Sequence, residues 1–158
     1  MKTVFVTGGA GFIGSHTCVV LLEKGYKLYV LDSYINSSRK SLNKVKKIVD
    51  QKDSSLSKNL NIIEGDIRDE NTVEDIFREA KNSGSQIDGV IHFAGLKSVE
   101  ESINYPQKYW DTNVNGSITL LKVMDNNNCR KIVFSSSATI YGLVNDLLIK
   151  EDFKIQPI

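Results

Sequence analysis

Three consecutive serines and a threonine follow an apolar run in the stretch Phe134-Ser135-Ser136-Ser137-Ala138-Thr139-Ile140-Tyr141-Gly142. Hydroxyls at the end of a buried strand either close a turn or present hydrogen-bonding groups to a ligand. To do acid–base chemistry they also need a base within reach. A second stretch, Thr7-Gly8-Gly9-Ala10-Gly11-Phe12-Ile13-Gly14, fits G-x-G-x-x-G through Gly9, Gly11 and Gly14, and G-x-x-G-x-x-G through Gly8, Gly11 and Gly14. Glycines there let the backbone approach a pyrophosphate, and a helix N-terminus just beyond offers free amides and the positive end of its dipole. Gly14 would let that helix pack close to the sheet. A tight structural turn is the alternative. A strand before the loop and a helix after it favour the dinucleotide reading.

Three further positions extend that chemistry. Asp32 stands eighteen residues after Gly14. A carboxylate there accepts hydrogen bonds from the ribose hydroxyls of NAD and repels the extra phosphate of NADP. Arg39 raises NADP as a possibility, but Asp32 outweighs it. Asp66, after Gly65, either hydrogen-bonds an adenine ring together with the Ile67 backbone or caps a helix; the pattern leaves both open. In Phe93-Ala94-Gly95-Leu96-Lys97, small Ala94 and Gly95 would let backbone meet a nicotinamide ribose. Lys97 would add a cation near a phosphate, or it is simply a solvated lysine after a turn.

The elements that must position these residues are read from periodicity. β-Branched or apolar runs predict strands over Lys2–Thr7, Lys27–Asp32, Leu60–Glu64, within Ile87–Ala94 and over Arg130–Phe134. Helical spacing covers about Gly11–Glu23, stopped by Gly25, then Ser41–Asp50, Glu70–Lys81 capped by Asp69, and about Gln107–Asn126. Residues 51–59 read as a polar loop. Strand and helix alternate about every thirty residues, which predicts an α/β chain of βαβ units. The expected fold is a Rossmann-type doubly wound parallel sheet with five strands in the order 3-2-1-4-5.

Composition bounds the rest. The 158 residues, 41% hydrophobic and 25% charged, suit one globular domain. A net charge of +1 gives no field drawing the chain to nucleic acid or to an anionic membrane. Cys18 and Cys129 have no metal-binding or redox spacing and are expected to be isolated thiols. Met1-Lys2 leads straight into the first strand, and no apolar run approaches a membrane span, so a cytoplasmic location is expected.

Together, TGGAGFIGSH, LDSYINS, EGDIRD, HFAGLKSVEES, NVNG and FSSSATIYG, in this order and spacing, resemble the UDP-glucose (UDP-galactose) 4-epimerases. These are extended members of the short-chain dehydrogenase/reductase superfamily. Related dehydratases carry an Asp-Glu pair where this chain has Ala138-Thr139-Ile140, which argues against dehydration. The resemblance implies a tightly held NAD. Gly8, Gly11, Phe12, Ile13 and Gly14 would hold the pyrophosphate. Asp32, Asn36 and Ser37 would hold the adenosine ribose and phosphate region, and Asp66 and Ile67 the adenine. Phe93, Ala94, Gly95, Lys97, Asn113 and Ser135 would line the nicotinamide side.

By the same resemblance Ser137 is the catalytic serine, bonding the sugar 4-OH of a UDP-sugar, with Ser136, Thr139 and Lys97 beside it. One departure is Glu100, where the family has glycine. The family's general base is a tyrosine in Tyr-x-x-x-Lys, and none of the six tyrosines here has lysine four residues on. The resemblance therefore implies an NAD-binding N-terminal portion, residues 1–158, of an enzyme that interconverts UDP-glucose and UDP-galactose. Alone it would be an inactive NAD-binding fragment; the complete enzyme would be a homodimer. A 4-epimerase of another UDP-sugar is the alternative.

Overall fold

A computed structural model describes residues 1–142 and 148–157. Its strands are β1 (Thr3–Thr7), β2 (Lys27–Asp32), β3 (Leu60–Glu64), β4 (Ile87–His92) and β5 (Ile132–Phe134). They form one sheet in the order β3-β2-β1-β4-β5, with every neighbouring pair parallel. The predicted order therefore holds.

Because side chains alternate across a strand, β1, β2 and β3 feed two cores, whereas β4 feeds one and the edge strand β5 is exposed. On one face, Phe5, Tyr29 and Leu31 pack with α3 (Glu70–Asn82) and α6 (Gly116–Asn126) through Val73, Phe77 and Leu120. On the other, Val6, Leu28 and Val30 pack with α1 (Phe12–Glu23) and α2 (Arg39–Asp50) through Cys18, Leu22 and Val45. Cys18 and Cys129 are free, and they lie in opposite cores. Burial pushes the Cys18 thiol up to about 12, which keeps it protonated and inert. Among the described residues no helix is long and apolar enough to cross a membrane.

Four local differences from the sequence pattern have identifiable causes. Helix α2 starts at Arg39 rather than Ser41, because the Ser38 side chain caps it by accepting from the Lys40 amide. The polar stretch 51–59 contains a short 3₁₀ turn, Leu56–Asn59, and Leu56 packs on the α1–α2 core. A short helix not expected from periodicity, α4 (Val99–Asn104), is capped by Ser98, which accepts from the Glu101 amide. Glu100 lies exposed in its first turn, where a carboxylate suits the helix dipole. The single helix expected over 107–126 is instead α5 (Pro106–Tyr109), a wide π-helical turn over Trp110–Asn115, and α6.

Gly116, at the start of α6, gives a test of close packing. Alanine normally gains up to about 1 kcal/mol over glycine in a helix. Here an added Cβ would lie 2.6 Å from Ile67 Cγ2. Ile67 is buried and β-branched, so it cannot swing aside cheaply. Overpacking of roughly 1–3 kcal/mol then exceeds the propensity gain. Gly116→Ala is expected to lower the urea midpoint; a raised midpoint would show that Ile67 yields freely.

Candidate functional site

Most of the residues singled out from sequence lie at or just beyond the carboxyl ends of the strands, where open α/β sheets bind ligands; Asn113 comes instead from the π-helical turn before α6. The glycine loop turns at Gly8 with φ +69°. A Cβ on Gly14 would lie 2.4 Å from Gly8 O and 2.8 Å from Gly9 Cα. Gly14 therefore lets the first turn of α1 lie close on the loop's own backbone. Gly11 is the N-cap and supplies no side-chain cap. Among the described residues the amides of Phe12, Ile13 and Gly14 have no acceptor. Phe12 and Ile13 are exposed. A bare helix N-terminus over a glycine-rich cradle fits a pyrophosphate.

Asp32 ends β2 and is 8% exposed. Its Oδ2 accepts from Ala10 N at 2.8 Å; its Oδ1 accepts from Tyr34 N at 2.9 Å and Ser37 Oγ at 2.7 Å. The carboxylate thus ties the glycine loop to the β2 exit, leaving one acceptor direction open for a ligand. Gly11, Phe12, Asn36 and Ser37 share a cleft of about 630 Å³ that runs between α1 and α2. Arg39 pairs with Glu64 and lies over the Tyr34 ring.

At the β3 exit Asp66 is not the cap of α3. The cap of α3 is Asp69, which accepts from Asn71 N at 3.1 Å. Asp66 is held instead by Arg68, with Oδ1 3.0 Å from Nε and Oδ2 2.6 Å from Nη2. The Arg68 side chain holds the Asp66 carboxyl below the usual carboxylate range. Arg68 also reaches Asp111 in the π-helical turn at 2.5 Å. Neither Arg68 nor Asp111 was singled out from sequence; the Arg lay inside the EGDIRD motif, but its partner is 43 residues on. The Ile67 side chain belongs to the core, so only its backbone is available to a ligand.

At the β4 exit Asn113 grips the loop. Its Oδ1 accepts from Leu96 N at 2.8 Å, and its Nδ2 donates to Leu96 O at 2.9 Å. Gly95 leaves room for that amide, since a Cβ there would sit 3.3 Å from Asn113 Oδ1. Asn113 thus acts on the loop Phe93–Lys97 in this structure. Lys97 is exposed and has no hydrogen bond or ion pair among the described residues. Next to this loop is a residue that sequence reasoning passed over. His92 is buried between Thr7, at the end of β1, and Ser117 on α6. The available signal was a lone histidine ending an apolar strand.

Burial lowers the His92 pKa below its ordinary value. The unfolded chain therefore binds a proton that the folded chain refuses in the window just below pH ~6.5. Stability is full above that window and falls as pH drops through it, by at most about 1.4 kcal/mol per pH unit. In His92→Gln this part of the slope is expected to disappear, as read by urea denaturation at a series of pH values. An unchanged slope would mean that another group titrates.

The β5 exit carries the hydroxyls. Ser135 through Thr139 are exposed, and the Ser135 amide donates to His92 O at 3.1 Å. Ser137 caps a 3₁₀ turn, Ala138–Tyr141, by accepting from Thr139 N at 3.2 Å. The Ser137 and Thr139 hydroxyls lie 2.8 Å apart. Either can donate to the other, so the pair can offer a ligand a donor or an acceptor.

The chain is similar to known proteins over nearly its whole length. The family model described as GDP-mannose 4,6 dehydratase matches residues 5–158. The bifunctional UDP-glucose 4-epimerase and UDP-xylose 4-epimerase 1 of Pisum sativum is 46% identical over 155 residues, which cover 98% of this chain and 42% of the relative. The UDP-glucose 4-epimerase of Bacillus subtilis is 46% identical over 152 residues, covering 96% of this chain and 41% of the relative. The crystal structure of the Bifidobacterium longum UDP-glucose 4-epimerase in complex with NAD+ and UDP matches with a TM-score of 0.82 at 44% identity. That match covers 98% of this chain and 43% of the other. The chain thus spans about two-fifths of the length of these relatives. It belongs to the GDP-mannose 4,6 dehydratase family, and the relatives it matches over nearly its whole length are UDP-glucose 4-epimerases.

Proposed function

We propose that this chain is the NAD-binding part of an enzyme that interconverts UDP-glucose and UDP-galactose. The observation that carries the reading is one sheet edge holding a bare helix N-terminus, the Asp32 carboxylate and the Ser137–Thr139 hydroxyl pair together. The glycine cradle and the free amides of Phe12, Ile13 and Gly14 would receive the pyrophosphate. Asp32, with Asn36 and Ser37, would take the adenosine ribose, and Asp66 and the Ile67 backbone the adenine. Phe93, Ala94, Gly95, Lys97, Asn113 and Ser135 would face the nicotinamide end. NAD, when bound, supplies the hydride acceptor for sugar C4 and returns the hydride to the opposite face.

Ser137 would orient the sugar 4-oxygen, with Ser136, Thr139 and Lys97 beside it. While Thr139 donates to Ser137, the Ser137 proton is free for a 4-keto oxygen. While Ser137 donates to Thr139, its oxygen can accept from a 4-OH. One pair of hydroxyls thereby serves both directions of the reaction. These 158 residues contain no Tyr-x-x-x-Lys to act as base. The chain by itself is therefore expected to bind NAD without turnover, whereas the complete protein, a cytoplasmic homodimer, epimerises. Ala138-Thr139-Ile140 offers no acidic pair, which supports epimerisation over the dehydration in the family's description. A broader substrate range is a second reading, favoured by the 46% identical relative that also carries a UDP-xylose activity in its name.

The test is epimerisation by the complete protein with and without Ser137→Ala. Losing a hydrogen bond to a reacting oxygen of about 1.5–3 kcal/mol predicts a roughly 10- to 100-fold lower kcat. An unaltered rate would remove Ser137 from the mechanism. Absence of epimerisation in the unaltered complete protein would overturn the proposed function itself.

A further inference from the structure

The imidazole of His92 is 2% exposed, and β1–β4 pairing sets it beside Thr7. Its two nitrogens meet hydroxyls from different elements: Nδ1 lies 2.5 Å from Thr7 Oγ1, and Nε2 lies 3.0 Å from Ser117 Oγ. The hydroxyls decide where the ring proton sits. Ser117 has a single proton, and its Oγ lies 2.5 Å from the Asn113 carbonyl oxygen, which can only accept. Ser117 Oγ must then accept from the ring, so Nε2 carries the proton. In the neutral ring Nδ1 is an acceptor, filled by the Thr7 hydroxyl. The Thr7 oxygen in turn accepts the Ala94 amide at 3.3 Å.

Every donor in this relay points the same way, from the Ala94 amide through Thr7, His92 and Ser117 to the Asn113 carbonyl. A charged ring would add a proton at Nδ1. Thr7 would then accept twice, and its own proton would lose its partner in a buried site, at a cost that favours the neutral ring. The residue at the end of the relay holds the same loop a second time: the Asn113 side chain grips the Leu96 peptide at 2.8 and 2.9 Å.

We propose that His92, held as the neutral Nε2–H tautomer, is a positioning residue that sets the loop Phe93–Lys97 against the Asn113 helix and so shapes the nicotinamide side of the NAD site. This rests on the NAD-binding reading above. A chain of hydrogen bonds with one consistent direction is cooperative, so breaking any link loosens the rest. His92 touches no ligand in this account; it acts through Thr7, Ser117 and Asn113.

The test uses the ¹⁵N-labelled 158-residue chain. Imidazole ¹⁵N–¹H correlation spectra, with His92→Gln identifying the signals, should show Nε2 protonated and Nδ1 unprotonated at neutral pH. The opposite tautomer or a charged ring would overturn the proposal, and this readout needs no altered residue in the relay. In Ser117→Ala the Ala94 amide resonance should shift, although Ser117 does not touch Ala94; an unmoved Ala94 amide would also overturn it. NAD is then titrated calorimetrically into Thr7→Val, Ser117→Ala and the double variant. Each single change should weaken binding about 5- to 10-fold, with the double variant no weaker than the worse single. Losses that multiply, or no loss, would refute a shared relay. If the unaltered chain binds no NAD, the proposed function fails, while the tautomer and the Ala94 shift still decide the relay.

Discussion

Asp32→Ala is expected to destabilise the chain by about 4 kcal/mol and to lower NAD affinity by roughly 100-fold or more. Two buried or part-buried amides, Ala10 N and Tyr34 N, would lose their only side-chain acceptor. Each orphaned donor costs about 1–3 kcal/mol, and more when its partner was charged. The Ser37 hydroxyl is less constrained and can turn to water. The binding loss is separate, because the open lone pair of Asp32 is the ribose acceptor in the proposed site. Asp32→Asn distinguishes the two effects. Its amide oxygen can still serve Tyr34 and Ser37, but its NH₂ would face the Ala10 amide, donor against donor. It should therefore recover part of the stability and little of the binding. Urea denaturation and calorimetric NAD titration measure the two quantities. A loss of stability under 1 kcal/mol in Asp32→Ala would show that the loop does not depend on this carboxylate.

The second large effect is expected at Gly8. Its φ of +69° is a region where an L-residue costs about 1–2 kcal/mol. An added Cβ would also stand 2.6 Å from Ala94 N and 2.7 Å from Phe93 C. These are backbone atoms at the β4 exit and cannot rotate away, so overpacking adds about 1–3 kcal/mol. Gly8→Ala should thus lose about 2–5 kcal/mol, which is on the order of 10 °C in Tm for a chain of this size. Gly25→Ala is the control. Gly25 has φ +79°, but nothing lies within 4 Å of its added Cβ. Its loss should stay near the conformational cost alone, about 1–2 kcal/mol. Equal losses at the two glycines would mean that the β1 and β4 exits separate without penalty.

The parts of the site that could be read in advance are those encoded locally. The glycine loop, Asp32 at a strand end and the serine run after β5 are each a few residues long, and a strand or helix period places them. The role of Asp66 could not be read that way. As a cap or as an adenine partner it gives the same pattern, and only the Asp69 cap and the bond to Arg68 show that it does not cap α3. Asn113 is assigned to the ligand side by resemblance; that its amide also bonds both sides of the Leu96 peptide is visible only in the structure. The π-helical turn that carries Asn113 was hidden because Trp110–Asn115 holds only two apolar residues, Trp110 and Val114, too few to show a change of period.

The amino-acid sequence by itself determined five strands, their order, the glycine loop and the family, because these rest on periodicity and on motifs within a few residues. Tertiary structure alone decided which polar groups face each other. Thr7 and His92 are 85 residues apart, Arg68 and Asp111 are 43 apart, and Ala10 and Asp32 are 22 apart. Such pairs carry no local period. They form because parallel β1 and β4 bring their ends into register and because α6 packs across the sheet on Leu120. The proton direction through His92 is decided at the same level. It is dictated by the single proton of Ser117 and by a carbonyl that can only accept, and neither neighbour is known until the chain has folded.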